Sequence, residues 1–298
     1  MGEDAGKRWT RPVAPYFAVL DRIQRHLLPR AYLEIGVHRG TSLAMALPGT
    51  LAVGVDPAPL LRSPSRRWAR VHPVTSDAFF AANEEAQALE GRPLDLAFID
   101  GMHQFGFALR DFMHIEGWSH PGTTVLVHDC YPADALGASP VRTTAGWSGD
   151  VWKLIVCLKA ERPDLDVHVV DVGPTGLGIV GGLDPSSTHL AEDYDAVLAR
   201  YEGLEFSWLE ERGRAETLNR VDPDWPSVRG LLPAVPWRAG APAWLRVRRS
   251  LRPAHWPYVA DDLGYRARAG LSRLRARRPA GAGAGAGAPV RTGDRHEG

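Results

Sequence analysis

The stretch AYLEIGVHRGTSL, residues 31–43, decides the fold of this 298-residue chain. Its first part, AYLEI, has the near-continuous apolar character of a strand that is buried on both faces. A turn with two glycines follows, and the hydroxyl groups of Thr41 and Ser42 are suited to cap the start of a helix. A buried strand, a glycine turn and a helix start together indicate the first unit of an α/β sheet.

Short apolar runs recur after this stretch at helix-sized intervals. Segments that can form helices lie between most of them, such as residues 77–90 and 105–118. The alternation predicts an α/β, Rossmann-like, doubly wound fold with a mainly parallel seven-stranded sheet and helices on both faces. The predicted strands are residues 31–35, 51–55, 70–75, 94–99, 123–128, 166–171 and 176–181.

The sequence divides into four expected segments. Residues 1–30 form a helical lead-in, and residues 31–184 form the α/β domain. Residues 185–279 form a C-terminal extension, helical at first and then rich in Arg, Trp and Pro. Residues 280–298 form an Ala/Gly tail, which we expect to be disordered because it cannot bury enough apolar surface.

The composition excludes several classes of function. The chain has 35 basic and 35 acidic side chains and a formal net charge of +0, so nucleic acid is not an expected partner. Its two cysteines, Cys130 and Cys157, form no metal-binding pattern, which favours reduced thiols in a cytoplasmic protein. No apolar run is long enough to span a membrane, and the N-terminus lacks the apolar region of a signal peptide. The formation of a homo-oligomer is left open by the composition.

The glycine turn and the following strand indicate a cofactor that contains adenosine. Gly36 and Gly40 let the backbone approach a ligand closely. Asp56 ends the second predicted strand, twenty residues after Gly36, where a carboxylate can bind the two ribose hydroxyls. The turn lacks the G-x-G-x-x-G pattern of dinucleotide enzymes, and Glu34 adds negative charge, which suits a cationic sulfonium better than a pyrophosphate. The alternative is that Asp56 only ends a strand.

Five motifs in order, LEIGVHRGTSL, GVDPAP, TSDAFF, LAFIDGMH and TTVLVHD, resemble the strand-end motifs of class I S-adenosylmethionine (SAM)-dependent methyltransferases. The resemblance covers about residues 31–182 and implies SAM as the cofactor. It implies that Glu34 and Gly36 line the methionine end, Asp56 the ribose, and Ser76 with Asp77 the adenine edge. Asp77 has helix capping as an alternative or additional role. The full set of expected cofactor-binding residues is Glu34, Gly36, Gly40, Asp56, Ser76, Asp77 and Asp100.

Polar residues at the ends of two predicted strands indicate a catalytic centre. Asp100 ends the fourth strand with His103 three residues later, and His128 with Asp129 ends the fifth. These residues are expected at one edge of a parallel sheet. Asp100, His128 and Asp129 offer oxygen and imidazole ligands that suit Mg²⁺ or Mn²⁺. A buried strand position for His128 and a loop cap by Asp129 are the alternative.

The same residues are similar to those of small-molecule O-methyltransferases of the catechol and macrolide-sugar type. That resemblance implies that Asp100 is the first metal ligand, that His103 is the general base and that His128 with Asp129 forms the polar pair. This chain departs from the catechol type at His128, where that type has a carboxylate. The implied reaction is O-methylation of a small-molecule acceptor, a secondary metabolite or a sugar.

The loop of residues 132–149 is expected to shape the acceptor pocket, since loops at this edge of the sheet carry binding residues. Trp147 or Trp152 is a candidate to pack on the substrate. The alternative is a core position for Trp152 and a helix cap by Asp150.

Two other functions stay open at the level of sequence. One is an NAD-linked or nucleotide-sugar-linked Rossmann enzyme. The other is an RNA-binding or membrane-surface-binding protein that acts through the arginine-rich segment, residues 238–278. Eleven arginines and two aspartates give this segment a charge of 11 − 2 = +9. Base-composition bias is the simpler explanation of its arginine content.

Overall fold

The computed structural model describes residues 16–61, 69–144 and 146–234. The arginine-rich segment, the Ala/Gly tail and residues 1–15 of the lead-in lie outside these ranges. The described strands are β1 Ala31–Ile35, β2 Leu51–Val55, β3 Ala69–His72, β4 Leu94–Ile99, β5 Thr124–His128, β6 Asp166–Val170, β7 Leu177–Gly181 and β8 Arg220–Val221. The described helices are α1 Tyr16–Leu27, α2 Ser76–Ala82, α3 Glu85–Ala88, α4 Phe105–Gly117, α5 Trp152–Glu161, α6 His189–Glu192, α7 Tyr194–Glu202, α8 Phe206–Glu211, α9 Arg214–Thr217 and α10 Trp225–Gly230.

The strands form one sheet in the order β3-β2-β1-β4-β5-β7-β6-β8. Strands β1 to β5 pair in parallel, whereas β7 runs antiparallel to both β5 and β6. Strand order reverses between β1 and β4, and the crevice at such a point is where ligands bind in this class of sheet. The predicted Rossmann-like α/β fold is confirmed.

The predicted count of seven strands is wrong, because the described sheet has eight. Strand β8 pairs in parallel with β6 through Val169 with Arg220 and Val170 with Val221. Asn219, just before β8, donates from its side chain to the Val167 carbonyl oxygen at 2.9 Å. A strand of two residues leaves no alternation in the sequence. It was therefore missed within the C-terminal extension.

Helices cover both faces of the sheet. In β1, the neighbouring residues Tyr32 and Leu33 belong to different core clusters, as expected when successive side chains point to opposite faces. Helix α1 packs on one face through Leu20 and Ile23, and it closely matches the apolar spacing seen in residues 15–28. Helices α4 and α5 contribute to the cluster on the other face.

The described part of the C-terminal extension packs on the same core. Val197 of α7 and Leu209 of α8 are buried in the cluster that also contains α4 and α5 residues. The expected boundary at residue 184 therefore does not separate two cores. None of the described helices has the length and apolar character needed to cross a membrane.

Candidate active site

The glycine turn after β1 brings the carboxyl ends of β1 and β4 into close contact. Gly36 has φ +88°, and a β-carbon on it would lie 2.0 Å from the Asp100 carbonyl oxygen. Its backbone N–H donates to the Val55 carbonyl oxygen at 2.8 Å. Gly40 also has a positive φ, +74°. Only glycine allows this approach at position 36, so the turn has the backbone freedom that the sequence predicts.

Glu34 lies in β1, two residues before Gly36, and is fully buried. Its carboxyl group accepts hydrogen bonds from the Tyr32 hydroxyl at 2.6 Å and the Ser42 hydroxyl at 2.7 Å. Burial raises the pKa of Glu34 to about 8, although the donors Tyr32 and Ser42 oppose the shift. The carboxyl group is thus enclosed by donors of the chain itself. The structure places it where it can hold the shape of the turn.

Asp56 connects the loops that follow β1 and β2. One carboxylate oxygen accepts from the His38 backbone N–H at 2.6 Å, and the other accepts from the Ala58 N–H at 2.8 Å. A carboxylate oxygen can accept more than one hydrogen bond. Asp56 therefore orders these loops and still offers acceptor capacity to a ligand hydroxyl at the carboxyl end of β2.

Ser76 and Asp77 begin helix α2, but neither caps it. Thr75 is the N-cap, with its hydroxyl oxygen accepting from the Ala78 N–H at 3.2 Å. The capping role considered for Asp77 is therefore wrong. Asp77 instead accepts from the Arg110 guanidinium at 3.2 Å and lies 3.8 Å from the His114 ring nitrogen Nε2.

Asp111 is a buried carboxyl group that the sequence interpretation missed. It lies on α4, three residues after Ala108 and four before Ile115, both of which are buried. This spacing, an acid on the buried face of an amphipathic helix, is the signal that could have found it. Burial raises the pKa of Asp111 to about 7, while an interaction with the Ser76 side chain opposes the shift.

A small pocket that is open to solvent lies at the carboxyl ends of β4 and β5. It contains most of the acidic and imidazole side chains discussed for this edge. The lining residues that matter for the chemistry are Asp100, Gly101, His103, Asp111, His128 and Asp129.

The structure brings two aspartates and two histidines together in this cavity. The His103 atom Nδ1 lies 2.5 Å from Asp129 Oδ2, and its other ring nitrogen, Nε2, lies 3.7 Å from Asp100 Oδ1. The His128 atom Nδ1 lies 3.0 Å from Asp100 Oδ1 and 3.3 Å from Asp129 Oδ2. Four residues at the carboxyl ends of β4 and β5 are thus in contact. We call them the Asp-His cluster: Asp100, His103, His128 and Asp129.

The charges in this cluster stabilise one another. Burial lowers the pKa of His103, but Asp129 and Asp100 raise it more, so the net shift is upward. The pKa of His128 is raised well above its usual range by the same two carboxylates against the effect of burial. Burial alone would raise the pKa of Asp129. The two imidazoles lower it by more, so the net shift is to below its usual range. The pKa of His103 therefore lies above that of a free imidazole.

Asp129 has an unusual backbone conformation, and its side chain is bound by a residue from the turn between β6 and β7. The backbone φ angle is +64° at Asp129 and +57° at His103. Positive φ angles are uncommon for residues other than glycine, and they are frequent at functional sites. The Thr175 hydroxyl donates to Asp129 Oδ1. Thr175 was missed because it precedes a strand, whereas the expected site residues end or follow strands. Strand β7 is antiparallel to β5, so its amino end reaches this edge of the sheet.

The loop after β5 fixes the turn that carries His103. Asp150 accepts from the backbone N–H of Phe105 at 2.7 Å and is 2.9 Å from the Lys153 ammonium. Phe105 is the first residue of α4, so Asp150 caps this helix from a distant part of the chain. Trp152 is buried in the core, in agreement with the alternative considered for it.

Two aromatic rings pack on the histidines of the cluster. Trp147 stacks on His103 with ring centroids 5.2 Å apart and an angle of 11° between planes. Its indole N–H donates to the Ser139 carbonyl oxygen at 2.6 Å, which anchors the ring to the loop. Tyr16, at the start of α1, packs on His128 with centroids 4.1 Å apart. Both histidines therefore have restricted ring orientations.

Among the described residues, Asp100, His103 and Asp129 could hold a metal ion together. One ligand atom from each lies within 4.8 Å of the others. The group contains His103, whereas the sequence interpretation proposed His128 with the two aspartates. Two carboxylates and an imidazole match the ligand chemistry of Mg²⁺ or Mn²⁺. However, the Asp129 oxygens already contact Thr175 and both imidazoles, so a cation would compete with these contacts.

Comparison with known proteins gives one family and several solved structures. No curated protein matches the chain. The O-methyltransferase from Bacillus cereus in complex with SAH is 16% identical, covers 57% of this chain and 80% of its own, and has a TM-score of 0.43. TomG from Streptomyces achromogenes, an O-methyltransferase involved in tomaymycin synthesis, in complex with SAM, is 19% identical, with 57% and 81% coverage and a TM-score of 0.42.

The family model described as a methyltransferase domain matches residues 33–130. This range begins within β1 and ends two residues after β5, so it includes the glycine turn, Asp56 and the four residues of the Asp-His cluster. The match confirms that this range of the chain resembles a methyltransferase domain.

Proposed function

We propose that this chain is a SAM-dependent methyltransferase that methylates a hydroxyl group of a small molecule, with His103 as the general base. The observation that carries this proposal is the pairing of His103 with Asp129, whose Nδ1 and Oδ2 atoms are 2.5 Å apart. The two atoms are in close ion-pair contact but are not aligned as a hydrogen bond, and we assign proton uptake to the other ring nitrogen, Nε2. His103 is only partly buried and lines the cavity, so an acceptor hydroxyl can reach it.

The Asp129–His103 pair explains how an alcohol can become a nucleophile. An alcohol is not ionised near neutral pH, and a positioned base typically contributes about 10²–10⁴-fold to such a reaction. SAM, when bound, supplies an electrophilic methyl group on a cationic sulfur. As the acceptor oxygen bonds to this methyl carbon, the hydroxyl proton moves to His103 Nε2 and the sulfur–carbon bond breaks. Asp129 stabilises the imidazolium formed, and the products are the methyl ether, S-adenosylhomocysteine (SAH) and a proton.

The residues at the neighbouring strand ends fit an adenosine cofactor. Gly36 has no β-carbon, so its turn lies directly against the Asp100 backbone, and a cofactor would bind where the carboxyl ends of β1 and β4 meet. Gly40 completes the turn, and Asp56 would bind the ribose hydroxyls. Glu34, which is enclosed by Tyr32 and Ser42, would act on the cofactor through the shape of the turn.

A divalent cation is the second candidate component of the site. Asp100 and Asp129, with His103 or His128, would hold Mg²⁺ or Mn²⁺, which would favour ionisation of the acceptor hydroxyl as a Lewis acid. The specific observation for it is the approach of three ligand atoms within 4.8 Å. A cation bound through His103 would exclude this residue from acting as a base, so the two roles are alternatives.

Calorimetry with SAM and SAH tests the cofactor assignment. We expect both to bind the wild-type protein, and Asp56→Ala to weaken SAH at least tenfold, because the ribose contact and the order of two loops are both lost. Asp184→Ala is the matched control. Asp184 also accepts from a backbone N–H of its own loop, that of Ser186 at 2.9 Å, but it follows β7 at the opposite edge of the sheet.

No heat with either ligand from folded wild-type protein would overturn the proposed function. Methyl transfer is tested with SAM and a metabolite extract, by mass spectrometry for products that gain one methyl group. Appearance of such products with wild type and their loss with His103→Gln is the expected result.

A further inference from the structure

The surface around the pocket at the Asp-His cluster is apolar. Of the five large hydrophobic side chains that are exposed among the described residues, three lie in the two segments beside this pocket. They are Met102, 55% exposed, in the turn after β4, and Leu136 and Val141, 63% and 65% exposed, in the loop of residues 132–149. We call these three residues the apolar rim. Single exposed apolar residues are ordinary, but several beside an open pocket indicate a binding surface.

Hydrogen bonds hold the loop against the turn after β4. The side-chain amide of Gln104 donates to the Pro140 carbonyl oxygen at 3.2 Å. The Trp147 indole N–H donates to the Ser139 carbonyl oxygen at 2.6 Å, and the Val141 backbone N–H donates to the Ser139 hydroxyl oxygen at 3.2 Å. Val141 and Trp147 therefore share one anchor, which places the apolar rim beside the indole that stacks on the candidate base.

A guanidinium group lies next to this rim. The Arg142 guanidinium carbon lies over the Trp147 ring at 5.9 Å from its centroid, and the same indole stacks on His103. Arg142 is exposed, and among the described residues it forms no ion pair. The one acidic residue of the loop, Asp134, accepts from the Gly137 N–H at 2.7 Å. The charge of Arg142 is thus available to a ligand.

The chemistry of this surface limits what can bind to it. A planar guanidinium binds a carboxylate through two parallel N–H···O bonds. It balances one negative charge, which a carboxylate carries, whereas a phosphate group carries close to two. The indole and the apolar rim suit a ring system, and methionine sulfur makes favourable contacts with aromatic rings. A sugar would lose hydrogen bonds to water against such a surface.

We propose that Arg142 and the apolar rim form an acceptor subsite that binds the carboxylate and the ring of a hydroxy acid, while the hydroxyl group of this acid reaches His103. The inference rests on the proposed function and names the acceptor class that the proposed function leaves open. Since the Trp147 indole contacts both Arg142 and His103, the acid and hydroxyl groups of the acceptor are separated by a ring system comparable in size to the indole.

The test uses two fluorescent probes that differ in one group, 6-hydroxy-2-naphthoate and 2-naphthol, and the full chain saturated with SAH. We expect wild type to bind the naphthoate about tenfold or more tightly than the naphthol, because hydrogen bonds to the charged guanidinium add to the ring contact. In Arg142→Gln this preference should fall to within about threefold, since the amide carries no charge, while SAH affinity is unchanged.

Arg212→Gln is the matched control. Arg212 is also exposed and lies over a tryptophan ring, that of Trp208 at 4.2 Å, but Trp208 stacks on the buried Trp152 and not on His103. This variant should keep the preference of the wild type. Val141→Ser tests the apolar rim, and it should weaken both probes by a similar factor of about threefold, because apolar contact area is lost.

Equal affinity of wild type for the two probes, or binding of neither, would overturn the inference, as would an unchanged preference in Arg142→Gln. Loss of the preference in Arg212→Gln as well would show unspecific attraction and also overturn it. Unchanged binding by Val141→Ser would overturn the role of the rim. The proposed function would survive all these results, whereas folded wild-type protein that does not bind SAH would overturn the proposed function and the inference with it.

Discussion

The α-carbon of Gly149 lies against the backbone of His103, so that a β-carbon on Gly149 would be 1.6 Å from the His103 carbonyl oxygen. Gly149 also has φ +65°, a conformation that favours glycine. The loop after β5 and the turn after β4 are therefore in backbone contact, which connects the loop expected to shape the acceptor pocket to the candidate base.

This contact predicts that Gly149→Ala shifts the turn that carries His103. We expect a lower melting temperature and a decrease in turnover of at least about tenfold, because small displacements of a catalytic group are costly. Gly146→Ala is the control, since Gly146 is in the same loop and a β-carbon there would meet no atom of the described residues within 4 Å. Normal turnover of Gly149→Ala at unchanged stability would show that this contact does not position His103.

His103→Gln should reduce turnover by at least about a hundredfold while SAH affinity is kept, because the amide cannot take up the proton. In the wild type, Asp129 and Asp100 raise the pKa of His103 above 6.5. The base form predominates above the raised pKa, so the rate should rise with pH through a midpoint above 6.5. A turnover measurement from pH 5.5 to 9 checks both statements. Retention of the same acidic limb in His103→Gln would reject the role.

Cation binding by the Asp-His cluster should strengthen as the pH rises. A metal ion needs neutral imidazoles as ligands, and the pKa values of His103 and His128 are both raised. Calorimetric titration with Mn²⁺ should therefore show tighter binding at pH 8 than at pH 6, and Asp100→Asn should weaken it. Loss of turnover in EDTA with recovery on Mn²⁺ would favour the metal mechanism. Full turnover in EDTA by protein without bound metal would leave His103 as the base.

Glu34 should make folding stability fall as the pH rises. Its pKa is raised to about 8 in the folded protein from an ordinary value of 4.5, so the folded state holds a proton that the unfolded state has lost between these values. The free energy of unfolding therefore decreases with rising pH in this window. Glu34→Gln mimics the neutral acid and cannot titrate.

Urea denaturation at pH 5, 7 and 9 measures this effect. We expect a shallower decrease with pH in Glu34→Gln than in the wild type. The pKa of Asp111 is also raised, to about 7, so part of the decrease should persist in the variant. Parallel pH profiles for the two proteins would contradict a buried, neutral Glu34.

The sheet could be predicted from the sequence because its strands have strong local patterns. The five residues of β1 and of β2 are all buried, as their continuous apolar character indicates. Strand β8 could not be predicted, since its two residues depend on an edge provided by β6. Local pattern carries no information about such a partner.

The candidate site could be predicted only where its residues follow parallel strands. Asp100 and His103 follow β4, and Asp129 follows His128, the last residue of β5. The structure brings these four residues together. Asp150 was considered as a cap of its own helix, whereas it caps α4, 45 residues away in sequence. Contacts of this kind depend on tertiary packing, which no spacing rule in the sequence reports.

The hydroxyl that holds Asp129 comes from the turn between β6 and β7, which is joined to the segment after β5 by a hydrogen bond from the Tyr131 N–H to the Thr175 carbonyl oxygen at 2.6 Å. Local opening of this turn would release Asp129, and through it His103, while the parallel strands stay folded. The order of the proposed His103–Asp129 pair therefore depends on a turn that lies outside residues 33–130. Amide hydrogen exchange at Tyr131 should report directly on the fraction of molecules in which the site is intact.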